Sequence, residues 1–524
     1  MSHDLHESLR DNVRILGDSL GRTIADDLGP DFVARIETIR GLAKSGRSGE
    51  AAGQRELIDY LRRLPEKDLL PVTRAFNQFL NLANIAEQHY RARFRRVEDY
   101  KPGMQPVLGE LLERARSEGH APRKLVETLA NMRVELVLTA HPTEVIRRTL
   151  IQKYDAIDDC LTAIESSADY PERGARAKGR LEELISQAWH TDEIRHDRPT
   201  PVDEAKWGFA VIENSLWQAV PDFHRDLDNL LLDTAGERLP LDAAPIRFAS
   251  WMGGDRDGNP NVTARVTREV LLLGRWMAAD LYLRDLEQLK IELSMWSTNS
   301  ALRAEVGNVS EPYRELLKRL VVRVEATRDW AKAELDGKSF EGGPIIETRD
   351  QLYAPLLACY RSLCDVGLDT IANGALLDTL RRIAVFGVTL TKLDLRQEAG
   401  RHAQVMEELT HDLKLGNYRD WSEEQRQAFL LAELESARPL IPRRWECSAE
   451  TRETLETFSV VAGEHGEALG TYIISMAAQP SDVLTVALLM KEVGGRTGMP
   501  IAPLFETLDD LNRAGDVIGR LLDL

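Results

Sequence analysis

Hydrophobic residues recur every three or four positions through roughly the first 130 residues of the chain. Leu9, Val13 and Leu16 show this spacing, which puts apolar side chains on one face of an amphipathic helix. Residues 44–53 interrupt the pattern with small residues and glycine, which predicts a loop rather than a domain boundary. The pattern therefore predicts a mainly helical segment over residues 1–130.

Short apolar runs follow, and segments long enough for helices separate them. The runs cover residues 134–140, 246–252, 388–396, 470–476 and 501–505. Residues 482–493 predict a helix between the last two runs, so this part of the chain predicts a β-α-β unit. Strands that alternate with helices favour a parallel sheet. The predicted fold class is α/β with predominant helix, and a β/α barrel with large helical insertions over residues 131–524 fits best.

Composition narrows the class of protein. Hydrophobic residues make up 43% and charged residues 29% of the 524 residues, as in globular proteins. The net charge of −18 argues against nucleic acid as a partner, although a few local arginines could still bind a small anion. Four cysteines without a CxxC pair favour reduced thiols and a cytoplasmic location. No signal peptide and no run of about eighteen apolar residues is present in the sequence, so we expect no membrane association.

Reactive side chains follow several of the predicted strands. His141 comes after the first run, Arg396 ends the third, and Glu506 follows the fifth. Barrel enzymes assemble their active sites at the carboxyl ends of the strands, which makes these residues candidates for chemistry. The alternatives are a structural histidine and an ion pair of Arg396 with Glu398 or Asp394. Glu506 by itself is a poor metal site.

The loop 253–261 reads Gly-Gly-Asp-Arg-Asp-Gly-Asn-Pro-Asn. It does not match a calcium-binding EF-hand, because glycine is at the fourth position rather than the sixth and position twelve is Val266. Its backbone N–H groups and Arg256 could instead hold a phosphate or bicarbonate oxygen. Arg147 and Arg148 could face the same anion, or could form surface salt bridges.

The segments Val-Leu-Thr-Ala-His-Pro-Thr-Glu at 137–144 and Ser-Trp-Met-Gly-Gly-Asp-Arg-Asp-Gly-Asn-Pro-Asn at 250–261 resemble the signatures of phosphoenolpyruvate carboxylase. The resemblance runs from about residue 10 to residue 524. It implies a phosphoenolpyruvate/pyruvate-like TIM-type barrel, incomplete in this chain, and the carboxylation of phosphoenolpyruvate by bicarbonate to oxaloacetate and phosphate. That reaction is an anaplerotic carbon dioxide fixation that feeds the tricarboxylic acid cycle.

The resemblance also implies roles for individual residues. His141 is the acid/base that takes the proton of a carboxyphosphate intermediate, and Arg396 binds the substrate phosphate. Trp251 lies in the bicarbonate region, and Arg256 and Arg147 are further candidates for substrate binding. Glu506 is one of two carboxylates that hold Mg²⁺ or Mn²⁺.

Members of this family continue into a second stretch with a metal-binding aspartate, a catalytic lysine and a glycine-rich loop, which we do not find in this sequence. We therefore expect residues 1–524 alone to be inactive and poorly soluble. The expected partners are further copies of the full-length form or a complementing carboxyl-terminal half. The alternative is a noncatalytic homologue that acts as a regulatory or assembly subunit of a full-length carboxylase. The amino terminus lacks the phosphorylation motif of plant forms, which suggests a bacterial-type enzyme.

Overall fold

The computed structural model describes most of the chain. The described residues are 2–47, 51–99, 107–139, 147–167, 170–192, 199–464, 466–494 and 498–524. They form a helix-dominant α/β structure with one small parallel sheet. No helix in these ranges is long and apolar enough to cross a membrane.

The helices, in chain order, are α1 (Ser2–Leu28), α2 (Pro30–Arg47), α3 (Ala51–Arg62), α4 (Glu66–Asp99), α5 (Val107–Ser117), α6 (Pro122–Asn131), α7 (Arg148–Glu165), α8 (Pro171–Trp189), α9 (Pro201–Val211), α10 (Trp217–Ala235), α11 (Ala264–Glu292), α12 (Ser300–Val306), α13 (Pro312–Leu335), α14 (Arg349–Asp365), α15 (Asp369–Ile371), α16 (Leu377–Phe386), α17 (Ala399–Asp412), α18 (Glu423–Glu435), α19 (Ala449–Gly463), α20 (Pro480–Glu492) and α21 (Leu508–Leu522). Short π-helical segments precede α10 and α16 at Ile212–Leu216 and Ala372–Leu376, and Tyr418–Asp420 is a 3₁₀ turn.

The strands are β1 (Val134–Leu138), β2 (Ile246–Ser250), β3 (Lys392–Glu398), β4 (Leu469–Ser475) and β5 (Ile501–Pro503). Every predicted strand is confirmed within a few residues of its bounds. The predicted β-α-β unit is also confirmed, since β4 and β5 pair in parallel and α20 connects them.

The chain divides into two compact units. Unit 1 consists of residues 1–111 and 141–198, and unit 2 consists of residues 112–140 and 199–524. This division differs from the predicted boundary near residue 130, because α7 and α8 belong with the amino-terminal helices. Ile157 and Leu161 of α7 share a buried core with Leu16 and Leu20 of α1, so the predicted apolar face of α1 packs on later helices as well as on its neighbours.

Unit 2 contains the sheet, whose strand order is β1-β2-β3-β4-β5 with every pair parallel. Successive strands of a β/α barrel have this order, and the predicted barrel itself stays a prediction. Phe248 of β2, Leu395 of β3 and Ile474 of β4 are buried in one large core with helices such as α11 and α13. This core fixes the strands, and their carboxyl ends lie along one edge of the sheet.

Local signals explain where the helices of unit 2 begin. Thr200 and Asp203 form a capping box at α9, and Ser422 and Gln425 form another at α18. Each capping side chain accepts a hydrogen bond from a backbone N–H that the first helical turn leaves without a partner. Thr507 does the same for α21, directly after Glu506. The position of Glu506 between a strand and a capped helix is therefore encoded locally.

Candidate active site

The loop between β2 and α11 folds against the end of β3. The backbone N–H of Arg396 donates to the carbonyl oxygen of Gly254 at 3.0 Å, and the N–H of Arg256 donates to the carbonyl oxygen of Arg396 at 2.9 Å. Asp255 and Arg396 thus pair as neighbouring residues of parallel strands do. The loop extends the sheet at its carboxyl edge, and this contact brings residues more than a hundred positions apart into one site.

Two glycines allow this close approach. Gly253 has φ of +80°, a left-handed conformation that glycine adopts without steric cost. A Cβ atom on Gly254 would lie 1.9 Å from the carbonyl oxygen of Asp394, a distance at which two atoms overlap. The Gly-Gly pair at the start of the loop is therefore needed for the contact with β3.

Arg396 occupies the centre of the site. Its Nε and Nη2 atoms donate to the two carboxylate oxygens of Asp255 at 2.7 and 3.0 Å, and Nη2 lies 3.5 Å from Asp257. The hydrogen bond to Asp255 and the charges of Asp255, Asp257 and Glu506 raise the pKa of the Arg396 guanidinium above its usual value. Arg396 is therefore in an ion pair, as the alternative proposed, but its partners are Asp255 and Asp257 rather than Glu398 or Asp394.

Trp251 provides an aromatic surface beside Arg396. The guanidinium carbon of Arg396 lies 4.9 Å from the centre of the Trp251 ring, within the range of a cation–π interaction. The indole Nε1–H donates to Asp394 at 3.1 Å, and the backbone N–H donates to the carbonyl oxygen of Leu138 at 2.9 Å. Trp251 is thus attached to both β1 and β3.

Arg256 is directed into the protein and is only 8% exposed. Its Nη1 donates to the carbonyl oxygen of Gly254 at 3.0 Å, and its Nη2 donates to the hydroxyl of Thr267 in α11. Burial lowers the pKa of this guanidinium from its usual value. These contacts hold the loop on α11, so Arg256 shapes the loop in this structure, and its predicted contact with a substrate oxygen stays a prediction.

Glu506 follows β5 and is exposed to solvent. Its Oε2 accepts a hydrogen bond from the backbone N–H of Met476 at 2.7 Å, just beyond the end of β4. Met476 has φ of +55°, an uncommon conformation for a residue with a side chain, and the contact with Glu506 accompanies it. Glu506 lies near enough to Arg396 to contribute to the raised pKa of its guanidinium.

The remaining candidates are not in the described part of unit 2. His141 and its neighbours at 140–146 are outside the described residues. Arg147 and Arg148 belong to unit 1, where α7 begins at Arg148 and Arg147 lies 3.7 Å from the carboxylate of Asp192. Within unit 2, the structure therefore brings Trp251, Arg396 and Glu506 to one edge of the sheet.

Glu506 is a candidate ligand for a divalent cation. The Oε2 atom of Glu506 already accepts a hydrogen bond, which leaves Oε1 for a cation. Among the described residues, no group of three or more histidines, cysteines or carboxylates is arranged to hold a metal ion. Mg²⁺ usually binds one or two carboxylates and completes its shell with water and substrate oxygens. Glu506 thus fits one position of such a shell and does not provide the whole of it.

Two acidic residues of the site have contacts that the sequence analysis did not predict. Asp255 holds Arg396, and Asp394 accepts hydrogen bonds from Trp251 and from the backbone N–H of Thr471. The sequence separations are 141 residues for Asp255 and Arg396 and 143 for Trp251 and Asp394, so no local spacing could have indicated either contact. The sequence analysis named Asp394 only as an alternative ion-pair partner of Arg396.

Comparison with known proteins gives one consistent family. The family model described as phosphoenolpyruvate carboxylase matches residues 9–524. The chain is similar to proteins named phosphoenolpyruvate carboxylase from Chromohalobacter salexigens, with 82% identity over 100% of this chain and 60% of the relative, and from Ectopseudomonas mendocina, with 57% identity over 99% of this chain and 59% of the relative. The relative from Marinobacter nauticus is 54% identical over 99% of this chain and 59% of its own length. The chain thus spans about 60% of the length of the curated relatives that it matches.

Proposed function

The chain belongs to the phosphoenolpyruvate carboxylase family, and from this premise we propose that residues 1–524 carry part of a site that carboxylates phosphoenolpyruvate with bicarbonate, which yields oxaloacetate and phosphate. The observation that carries the proposal is the position of Arg396. A permanently charged guanidinium lies at the carboxyl edge of a parallel sheet, where α/β enzymes bind their substrates. Both substrates of the proposed reaction are anions.

The guanidinium of Arg396 is held by one edge only. Asp255 accepts from Nε and Nη2, whereas no described residue accepts a hydrogen bond from Nη1. Asp255 therefore fixes the direction of the planar group and leaves a charged donor for a phosphate oxygen. Hydrogen bonds from a charged donor to phosphate are shorter and stronger than those between neutral groups. In the proposed reaction, Arg396 binds and orients the phosphate of phosphoenolpyruvate.

Glu506 supplies one ligand for Mg²⁺ in this proposal, with Mn²⁺ as the possible substitute. A divalent cation, when bound, neutralises negative charge on the substrate and on the enolate that forms from it. The Met476 N–H fixes one carboxylate oxygen and so limits the directions that the other can take.

His141 is the proposed acid/base, and this role rests on the family motif. The strand that leads to it is anchored, because the Trp251 N–H donates to the carbonyl oxygen of Leu138 at the end of β1. In the proposed sequence bicarbonate attacks phosphorus, and carboxyphosphate and the enolate of pyruvate form. His141 then takes the carboxyphosphate proton, carbon dioxide and phosphate separate, and the enolate carbon attacks carbon dioxide. Exclusion of water protects the enolate from protonation to pyruvate.

We propose that the polypeptide of residues 1–524 needs further residues for this activity. Two observations support this: the chain spans about 60% of its relatives, and the described part of the chain offers one of the carboxylates that a cation needs. Those residues would come from a longer polypeptide or from a complementing carboxyl-terminal half. The proposed enzyme is a cytoplasmic homo-oligomer.

The test begins with the protein purified from its source cells by an antibody against this segment. Its mass on a denaturing gel is compared with the 59.0 kDa of residues 1–524, and oxaloacetate is measured through a coupled reduction to malate. We expect activity that requires phosphoenolpyruvate, bicarbonate and a divalent cation, and we expect recombinant residues 1–524 alone to be inactive. A purified native protein that makes no oxaloacetate would contradict the proposed function. If it also bound a complete carboxylase, the alternative of a regulatory subunit would replace it.

A further inference from the structure

Asp394 is a buried carboxylate in the middle of the sheet. It lies in β3 and is 3% exposed. Its Oδ1 accepts a hydrogen bond from the backbone N–H of Thr471 at 2.7 Å, and its Oδ2 accepts one from the indole N–H of Trp251 at 3.1 Å. Burial raises the pKa of Asp394, and these two hydrogen bonds oppose that rise because they favour the charged form. A buried carboxylate is costly unless it is hydrogen-bonded, so both donors matter.

Glycine on both sides makes space for Asp394. A Cβ atom on Gly470 would lie 2.0 Å from Oδ1 of Asp394, and one on Gly254 would lie 1.9 Å from its carbonyl oxygen. Neither position could carry a larger residue without moving the strand. Gly470 therefore makes room for the side chain of Asp394, and Gly254 makes room for its backbone carbonyl.

The hydrogen bond to Asp394 restricts Trp251. The backbone of Trp251 is bonded to Leu138, and its indole N–H is bonded to Asp394, so the main chain and the ring are each fixed. The guanidinium of Arg396 lies over this ring, two residues along β3 from Asp394. Since side chains at i and i+2 of a strand project to the same face, Asp394 and Arg396 approach Trp251 from one side of the sheet.

We propose that Asp394 is a positioning residue for anion binding: by accepting the indole N–H it fixes the ring of Trp251, and the ring in turn fixes the direction in which Arg396 presents its Nη1. The proposal rests on the proposed function for the identity of the anion. The link from Asp394 to Trp251 and Arg396 does not depend on it. A carboxylate with a purely structural role would affect stability and leave anion binding unchanged.

Unit 2 contains a matched control. Asp285 accepts a hydrogen bond from the indole N–H of Trp217 at 3.3 Å and one from Arg382 at 3.0 Å. Burial raises the pKa of Asp285, as it does for Asp394. This aspartate has the same kind of contact with a tryptophan, and in the described part of the chain its hydrogen bonds are with Trp217 and Arg382, outside the candidate site. Asp285→Asn therefore measures the loss of stability that follows from replacing any buried carboxylate of this kind.

The experiment replaces Asp394 by asparagine in the native enzyme. The amide has nearly the same shape and accepts at one oxygen only, so its NH₂ group must face either Thr471 N–H or the indole N–H of Trp251. We expect the KM for phosphoenolpyruvate and the inhibition constant for inorganic phosphate to rise about tenfold. Asp285→Asn should lower the melting temperature and leave both constants within about twofold of the wild type.

A second measurement reports on the ring itself. The tryptophans of the enzyme, nine of which lie in residues 1–524, are labelled as 5-fluorotryptophan, and the ¹⁹F resonance of position 251 is identified by its loss in Trp251→Phe. We expect Asp394→Asn to shift or broaden this resonance, and we expect inorganic phosphate to shift it in the wild type but not in Asp394→Asn. In a double-mutant cycle, Asp394→Asn should cost less on the Trp251→Phe background, where no indole N–H remains.

The outcomes separate the two proposals. If the wild type makes oxaloacetate while Asp394→Asn retains its KM, its phosphate inhibition and its Trp251 resonance, the role of Asp394 is refuted and the proposed function stands. If the wild type makes no oxaloacetate, the proposed function is refuted. The effect of phosphate on the Trp251 resonance still decides the role of Asp394 in that case, because it needs no turnover.

Discussion

Replacement of Arg396 by glutamine is the sharpest perturbation of the candidate site. The side chain is 21% exposed, so its contacts are only partly screened by water. Glutamine removes the charge, the open Nη1 donor and the two bonds to Asp255. A charged hydrogen bond contributes up to about 3 kcal/mol. Its loss predicts a decrease in kcat/KM of roughly 150-fold, at about 1.4 kcal/mol for each factor of ten.

Lysine at the same position separates charge from geometry. It keeps a positive charge and loses the planar fork, so the two bonds to Asp255 become one. We expect Arg396→Lys to lose about half of the binding free energy, which corresponds to roughly a tenfold decrease in kcat/KM. The assay is steady-state oxaloacetate formation by the native enzyme, with phosphoenolpyruvate and bicarbonate each varied in turn.

Arg268→Gln is the matched control for this series. Arg268 is an exposed arginine of unit 2, and its ion pair is with Glu334 at 2.8 Å. Its replacement should leave kcat/KM unchanged, since exposed ion pairs contribute at most about 1 kcal/mol to stability. A value for Arg396→Gln within about threefold of the wild type would refute the assignment of Arg396 to substrate binding.

Three further predictions concern the surroundings of the site. Gly254→Ala should destabilise unit 2 by about 3 kcal/mol or more, seen as a lower melting temperature, because its Cβ would overlap the carbonyl oxygen of Asp394. Glu506→Gln should weaken Mn²⁺ binding about tenfold or more, measured by water proton relaxation, since the cation loses a charged ligand. Burial lowers the pKa of His402 to about 3, below the value of about 6.5 in an unfolded chain, so the neutral ring stabilises the fold above about pH 6.5 and this contribution is lost as the pH falls toward 3. The free energy of unfolding should fall by about 2 kcal/mol between neutral pH and pH 5 because of His402. In His402→Gln the free energy of unfolding should therefore depend less steeply on pH in this range.

Each of these predictions has a control in the same unit. Gly258→Ala meets open space at φ of +67° and should cost only about 1–2 kcal/mol, so an equal effect of the two glycine variants would contradict the steric argument. Asp509→Asn, in the exposed first turn of α21, should leave Mn²⁺ binding intact. His411 is exposed on the same helix as His402. If His411→Gln changed the pH dependence of the free energy of unfolding as much as His402→Gln does, the effect could not be assigned to His402.

The sequence was a good guide to the elements of the structure. The spacing of hydrophobic residues and the short apolar runs predicted the amino-terminal helices, the five strands and α20, because each of these signals acts over a few neighbouring residues. The same reasoning placed Arg396 at the end of the third strand and Glu506 after the fifth; in the structure Arg396 lies two residues before the end of β3, and Glu506 lies three residues after the end of β5. It could not show that α7 and α8 pack with the amino-terminal helices, since a helix with an apolar face can pack on many surfaces.

Contacts between distant segments were decided by the tertiary structure alone. Arg396 is bonded to Asp255 rather than to the acidic residues beside it in the sequence, because the loop after β2 meets the end of β3. Arg256 has the same charge as Arg396 and lies three residues after Gly253, yet it is directed inward toward Thr267. A charged residue in the sequence does not by itself show whether its side chain faces the solvent or the interior of the protein.

By itself, the amino-acid sequence determined the helices and strands, the order of the strands along the chain and the family motifs, because local propensity and side-chain periodicity are properties of neighbouring residues. The tertiary structure decided which carboxylate is bonded to which arginine or tryptophan, and which glycines allow those segments to approach each other. Asp394 shows the reason: its role depends on Trp251, Thr471 and Gly470, which reach it only when three strands and a loop have packed together.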